Sequence, residues 1–534
     1  MNKFLYVFVL CACVVPALAH DPNDHGSMAE EELGTVHFPT SCAASVQKPF
    51  ERGVALLHSF WYEEAGKQFE TVAKQDPKCA MAHWGIAISS WHQLWDHPKD
   101  ATIQAGIAEV KKAKSLHPKG ARERDYIVAM EKFYGPAKAD YHARAAAYSE
   151  QMEKVYKRYP EDKEAAAFYA LSLLASEPEG DTTFANRKKA AAVLEPVFNS
   201  EPNHPGVAHY LIHTYDKPQL AEQGLAAARK YANIAPASPH AVHMPSHIFA
   251  RLGLWQDDID SNLASVALTR KTSEMHMGGG GHQFHAMDFL VYAYLQSGRE
   301  ADARKVIEEV SAMPKVEDNL YAGYDPAAYA KSEFPAVYAL EMHHWAEAAA
   351  LQPVANAGYE DTAITYYARG LGAARGGKVA QAGTDLAQLE AAQTKATADK
   401  KTWLVDALEQ NRKIIQAWID HANRRDDAAV AALQAAAEKE EAEGDEPGAL
   451  PAREMLADLL MEMSRPEQAL AEYEADLKFN PNRFNGLYGA AHAAEMAGKT
   501  EQASSYYAQL LKVCSGSASD RPELQHAKQL LAKN

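Results

Sequence analysis

Residues 466–481 read PEQALAEYEADLKFNP, and residues 500–511 read TEQASSYYAQLL. Ala469 and Tyr473 of the first stretch recur as Ala503 and Tyr507 of the second, each 34 residues further on. Both stretches are rich in good helix formers, with apolar residues spaced near 3.6 positions, so both read as helices. Pro481 closes the first, because its ring has no N–H to donate and clashes with the preceding turn. A small and a large residue at a constant offset, punctuated by proline, describe a helical hairpin stacked on a copy of itself.

With proline as the ruler, the register recurs outward from this pair. Residues 46–79 carry Gly53, Ala65, Phe69 and Pro77, and residues 163–204 carry Ala170, Ala190, Leu194 and Pro202. Further units span 80–120, 121–162, 205–238, 239–273, 284–317, 450–483 and 484–517. WDHPKD, YGPAKAD, SEPEGDTT and MHMGGGGHQ read as insertions, and alternating strand-like runs are almost absent.

The pattern resembles the tetratricopeptide repeat (TPR) family, whose unit is a helix-turn-helix with a small residue at repeat position 8, Ala at 20, a large residue at 24 and Pro at 32. That resemblance implies an all-α, right-handed solenoid of roughly eleven or twelve hairpins. The blocks LLHSFWYEEA, DPKCAMAHWGIA, HPGVAHYLIHTYD and APASPHAVHMPSHIFARLG resemble those of a subgroup of exported bacterial TPR proteins. This second resemblance speaks for fold and compartment and carries no activity.

The expected division is a leader at 1–19, an extension at 20–45, an array at 46–320, a degenerate TPR-like region at 321–449, and a C-terminal pair with a cap at 450–534. The leader, MNKFLYVFVLCACVVPALAH, has a positive start, an apolar stretch and a small-residue cleavage site before His20. It implies an exported, periplasmic or secreted chain, with a lipid anchor at Cys13 as the alternative. No later apolar run is long enough to span a bilayer. The net charge of −17 argues against nucleic acid and anionic membranes as partners.

Removal of the leader leaves Cys42, Cys79 and Cys514. In an oxidising space thiols pair, and Cys42 and Cys79 flank the first unit, so the expected disulfide joins them. Cys514 then reads as a small buried apolar residue near a helix end.

The histidines follow the same interval. Nine of the 23 lie between 204 and 285. His209 and His213 in HYLIHTYD precede His243 and His247 in HAVHMPSHIF by 34 residues each. In TPR proteins the first helix of each unit lines the concave face, with positions 2, 5, 9, 12 and 13 directed inward. His209 and His213 then fall at 5 and 9, His240, His243 and His247 at 2, 5 and 9, and His285 and Asp288 at 2 and 5 of the next unit.

Residues four apart on a helix are about 5–6 Å apart and packed helices about 8–10 Å. His209, His213, His243 and His247 therefore make a rectangle whose imidazoles can converge on one ion such as Zn or Cu. His240, His282, His285 and Asp288 are the further candidate ligands, and His282, behind Gly278–Gly281, is also a candidate lid. Pro245 is expected to break or kink its helix near Met244, which threatens the alignment of His240 and His243.

Two other readings stand beside the metal or small-ligand pocket. The imidazoles can serve as polar groove residues of a peptide- or protein-binding scaffold with no metal. A metal-dependent enzyme is the third, with Asp216, Asp288 and unbound histidines as the candidate bases near the cluster. HExxH, a phosphate-binding loop and an arguable Ser-His-Asp set are not found in the sequence.

Overall fold

Helix follows helix in pairs joined by tight turns: Gln47–His58 with Tyr62–Gln75, Pro205–Tyr215 with Ala221–Ile234, Phe484–Met496 with Thr500–Val513. The computed structural model describes residues 32–533 apart from 95–96, 136–138, 179, 315–324, 445–447 and 449. Among the described residues there are twelve such hairpins and a closing helix, Pro522–Lys533, with no strand. The expected leader, the Cys13 alternative and His20 lie outside the described residues.

The repeat register explains the packing. Gly53 sits where a Cβ would come within 2.7 Å of the Phe69 ring, and Gly85 of the next unit faces the same ring at 2.3 Å. One large side chain of a second helix thus fills the space left by small residues on two first helices. Tyr473 repeats this role against Gly489, where an added Cβ would come within 2.3 Å. Interiors are close-packed, so an extra methyl at such a point forces off-rotamer side chains. Gly85→Ala is accordingly expected to cost about 1–3 kcal/mol. The check is urea denaturation of this variant beside Gly383→Ala, which has open space around it and no such penalty.

The described residues of the four insertions lie mostly between helices, after Ser89, Tyr134, Ala175 and Glu274. In the loosely patterned region, Thr402–Ala422 is one long helix, as KKTWLVDALEQNRKIIQAWIDHANRRD suggests, while Trp345–Ala348 shrinks to a single turn. Cys42 and Cys79 are disulfide-bonded, with Cα atoms 4.7 Å apart. Cys514 is a buried free thiol capping Thr500–Val513.

Later hairpins fold back onto earlier ones. The Lys217 ammonium donates to the carbonyls of Glu443 (2.6 Å) and Gly444 (3.1 Å). The Trp255 indole donates to the carbonyl of Asn482 at 2.8 Å, and the Asn482 amide donates to Gly253 O at 3.2 Å. Backbone approach is close here, since a Cβ on Gly253 would lie 2.2 Å from Pro481 O and its φ is +62°. Glycine alone meets both demands without strain. Through Gly444 the C-terminal half reaches the rim of the cavity into which the histidines project.

Candidate metal centre

Three consecutive first helices build the site. Pro205–Tyr215 carries His209 and His213, Pro239–His243 continues through Met244 into Pro245–Arg251 and carries His240, His243 and His247, and Gly281–Gln296 carries His282, His285 and Asp288. Their starts are specified locally. The His204 ring accepts from Val207 N–H and the Ser238 hydroxyl accepts from Ala241 N–H, each followed by proline at the first helical position. Pro245 does break its helix, at Met244. Both halves stay nearly collinear, because Met244 keeps helical angles (φ −51°, ψ −33°), and His243 and His247 remain on one stripe.

The histidines assemble, although not as one rectangle. The Nε2 atom of His209 lies 3.1 Å from Nε2 of His240 and 3.1 Å from Nε2 of His213. The Nε2 atoms of His243 and His247 are 3.0 Å apart, with His285 as their third member. Within each triad the ligand atoms lie within 4.8 Å of one another. The expected set of His209, His213, His243 and His247 is therefore divided between two triads, His209–His213–His240 and His243–His247–His285. The physical reason is the offset between neighbouring helices. Each first helix meets the next near its N-terminal end, so His240 reaches back to His209 and His285 to His243.

Two further expectations are corrected. His282 is buried in the first turn of its helix, its ring 5.1 Å from that of His240. It is no lid, because the glycine run before it is tied down: Trp61 donates to Gly278 O (2.8 Å) and Gly278 N–H donates to Glu64 (3.1 Å). Asp288 turns to the following hairpin, where it accepts from the Tyr329 hydroxyl at 3.1 Å, and it joins neither triad.

Hydrogen bonds behind the rings fix their tautomers. His209 Nδ1 lies 2.6 Å from the carbonyl oxygen of His58, which can only accept, so that nitrogen carries the proton. His247 Nδ1 donates to Asp216 Oδ2 at 2.8 Å, and Arg251 donates to Asp216 Oδ1 at 2.9 Å. His243 Nδ1 donates to Asn262 Oδ1 at 2.6 Å; the Asn262 amide is oriented by donating to Asp258. With Nδ1 donating outward in all three, Nε2 is the nitrogen directed at the cluster. Metal-binding histidines are held in this way, with the far nitrogen donating to a carbonyl or carboxylate.

Burial sets the protonation. It drives His209 and His285 down to about 3 and His282 down to about 4. Burial, with neighbouring imidazoles, also holds His213, His240 and His243 well below the ordinary imidazole value. Burial works against an ionised Asp216, yet Arg251 and His247 keep its carboxyl well below the usual carboxylate range. Burial thus disfavours charge on His209, His213, His240, His243, His282 and His285, beside one anion, Asp216, that is already paired.

Each triad also has its own phenyl. Phe60 lies 4.3 Å from the His209 ring and stacks on His213 (5.4 Å) and His240 (5.6 Å). Phe289 lies 5.0 Å from His243, 4.7 Å from His247 and 5.3 Å from His285. Phe60 adopts φ +52° in its hairpin turn, where other hairpins place Gly253, Gly298, Gly377 or Gly498. Still other hairpins place His343, Arg424 or Ser464 there, so the turn accepts a side chain, and at this turn the side chain is the ring that meets the triad.

A neighbouring cluster shows the contrast. His58 and His204 place Nε2 atoms 2.7 and 3.0 Å from the two oxygens of Glu164. The Nδ1 of His58 lies 2.9 Å from the Tyr210 hydroxyl, and that of His204 accepts from Val207 N–H. Every ring nitrogen there has a complementary partner, so the set reads as a saturated hydrogen-bond network. Its service to the site is to hold the His58 carbonyl against His209. Sequence reading missed this network and the roles of Asn262 and His58 O, because their partners lie tens to hundreds of residues away.

The triads open on a cavity of about 610 Å³, lined by His213, His240, His247 and His285 and by the cations Arg187, Lys217 and Arg251. Bases from Asp288 do not reach it, and Asp216 on its wall is occupied by His247 and Arg251.

No family model matches the chain, and no curated protein matches it. Solved structures do. One is a human IFIT1 dimer with m7Gppp-AAAA, 12% identical, covering 81% of this chain and 90% of that one, with TM-score 0.34. Another is the P58(IPK) TPR domain, 12% identical, covering 92% and 99%, with TM-score 0.21. A third is the APC/C hetero-tetramer Cut9–Hcn1, 11% identical, covering 91% and 89%, with TM-score 0.33. Superposition at these scores is loose, and the chain's own hairpins carry the assignment. Twelve described helix pairs, a 34-residue interval, and small-to-large packing between successive units make this chain an all-α tetratricopeptide-repeat-type solenoid.

Proposed function

We propose that this solenoid binds a transition metal of the Zn or Cu class through the histidines of its inner wall. The observation that carries the reading is the His243–His247 pair. Both Nδ1 protons are committed to acceptors outside the cluster, so two bare Nε2 lone pairs face each other at 3.0 Å. Two such acceptors cannot hydrogen-bond to each other, and the contact is relieved by a cation that both lone pairs can meet, a metal ion or a proton on one ring. Nitrogens about 2.0–2.1 Å from one ion span about this distance when the bond angle is close to a right angle, and a slight outward shift of the rings brings it to tetrahedral. All-imidazole donors suit borderline ions and do not favour Mg²⁺ or Ca²⁺.

The peptide-groove reading is less well supported, because His209, His240, His243 and His247 are buried and a cavity of about 610 Å³ suits a small ligand better than an extended segment. The Cys42–Cys79 disulfide supports an oxidising, exported setting. Catalysis is not part of the proposal.

The test is direct. The purified protein is stripped with chelator, and its melting temperature is measured as Zn²⁺ or Cu²⁺ is added. A ligand at 100 times its Kd that binds only the folded state adds about 2.7 kcal/mol. A rise is expected in the wild type, and a smaller one in His247→Ala. No rise and no retained metal in the wild type returns the chain to the partner-binding class.

A further inference from the structure

We infer that the six histidines form two adjacent three-nitrogen sites, holding a pair of transition-metal ions bridged by a small anion that enters from the cavity. This rests on the metal reading above and deepens it. The first observation is the partition itself. His209, His213 and His240 close on one point, His243, His247 and His285 on another, and no described group of four joins them. The second is adjacency. The ring centroids of His240 and His243 are 6.1 Å apart, and those of His213 and His247 are 6.3 Å apart. Imidazoles at that separation, each leaning toward its own triad, suit a pair of ions at the roughly 3.5–4 Å of bridged two-metal sites.

The third observation is which side stays open. Three protein ligands leave a tetrahedral ion one vacant position, the arrangement of a site that takes up an exogenous ligand. Each triad sends two of its rings to the cavity wall, His213 and His240 from one and His247 and His285 from the other. The vacant positions therefore face one shared space. Phe60 stacks on His213 and Phe289 packs against His247.

Charge then selects the bridging ligand. Six neutral imidazoles add no negative charge, and the one carboxylate on the wall, Asp216, is already balanced by Arg251. Two buried divalent ions beside Arg187, Lys217 and Arg251 would leave a large uncompensated positive charge in a site shielded from water, which is costly. A small anion, hydroxide or one with phosphate-like oxygens, offsets it. No bond-breaking step is proposed.

Metal content by elemental mass spectrometry, after Cu²⁺ loading and gel filtration, tests the count. Two ions per chain are expected in the wild type. One is expected in His213→Ala and one in His285→Ala, the two members of the triads that are not fully buried. In the wild type, electron paramagnetic resonance should show a signal weakened by coupling between the ions, and each variant should show the full signal of one isolated Cu²⁺. A wild type with one ion, or variants that each lose all metal, would overturn the pair while leaving metal binding intact. A wild type with none overturns the earlier reading as well. Calorimetry with inorganic phosphate tests the bridge: binding is expected to the loaded wild type and not to the stripped protein. Equal binding to both, or to neither, would overturn the anion's bridging role.

Discussion

Arg483→Ala is expected to lose about 3–5 kcal/mol of folding stability, the cost of leaving buried charge unpaired. Arg483 is fully buried at the start of helix Phe484–Met496. Its guanidinium donates to Glu454 at 3.0 and 3.1 Å, to Glu341 at 2.9 and 3.1 Å, and to the Tyr292 hydroxyl at 2.6 Å. It thus ties together helices Gly281–Gln296, Pro326–Glu341, Ala452–Glu462 and Phe484–Met496. Burial pushes the Glu454 carboxyl up to about 8, against the pull of Arg483, while burial opposes and the two glutamates enforce the charge on Arg483. Without the arginine, Glu341 must be neutralised or hydrated inside a packed interface. Chemical denaturation of Arg483→Ala measures the loss. The triple variant Arg483→Met, Glu341→Gln, Glu454→Gln is expected to recover a large part of it, because removing the whole charge set removes the unpaired carboxylates. If the single and triple variants were equally unstable, lost packing rather than charge would be the cause.

The metal-free protein is expected to lose stability steeply as pH falls below 6.5. Its buried imidazoles are neutral in the folded chain and protonate readily in the unfolded one. Their folded pKa values are depressed, so the unfolded state binds more protons, and stability rises with pH across the interval between the two values. For His209 and His285 that interval runs from 6.5 down to about 3, and for His282 down to about 4. At pH 5 each contributes a loss of about 2 kcal/mol relative to pH 7.5. The check is urea denaturation of chelator-treated protein at pH 7.5, 6 and 5. In His209→Gln the slope with pH should flatten by about one proton, since one neutral buried ring is gone. A wild-type stability that stays level from pH 7.5 to 5 would show that these rings are not held neutral.

The hairpin architecture was legible from one short interval. Ala469 and Tyr473 against Ala503 and Tyr507 set a pattern that Ala65 and Phe69 repeat four hundred residues earlier, and the structure packs Phe69 and Tyr473 in the same way. Helical spacing is a local property, and proline and glycine act on their own neighbours, so turns and the break at Met244 were readable too. The same period put the histidines on inward faces, and the flanking of one unit was enough to pair Cys42 with Cys79.

The division of those histidines was not readable. A register states which stripe of a helix a side chain occupies, while the helix it meets depends on how far each hairpin shifts and rotates against the next. That shift sent His240 to His209, gave His285 to His243 and His247, and turned Asp288 away to Tyr329. Asp216, Asn262 and the His58 carbonyl became supports only when distant segments met, and Lys217 found the Glu443 and Gly444 carbonyls only because the stack curls back on itself. Local chemistry in the sequence determined the hairpins and the inward face; the accumulated curvature of the array, a sum of many small packing offsets, decided which imidazoles share a space.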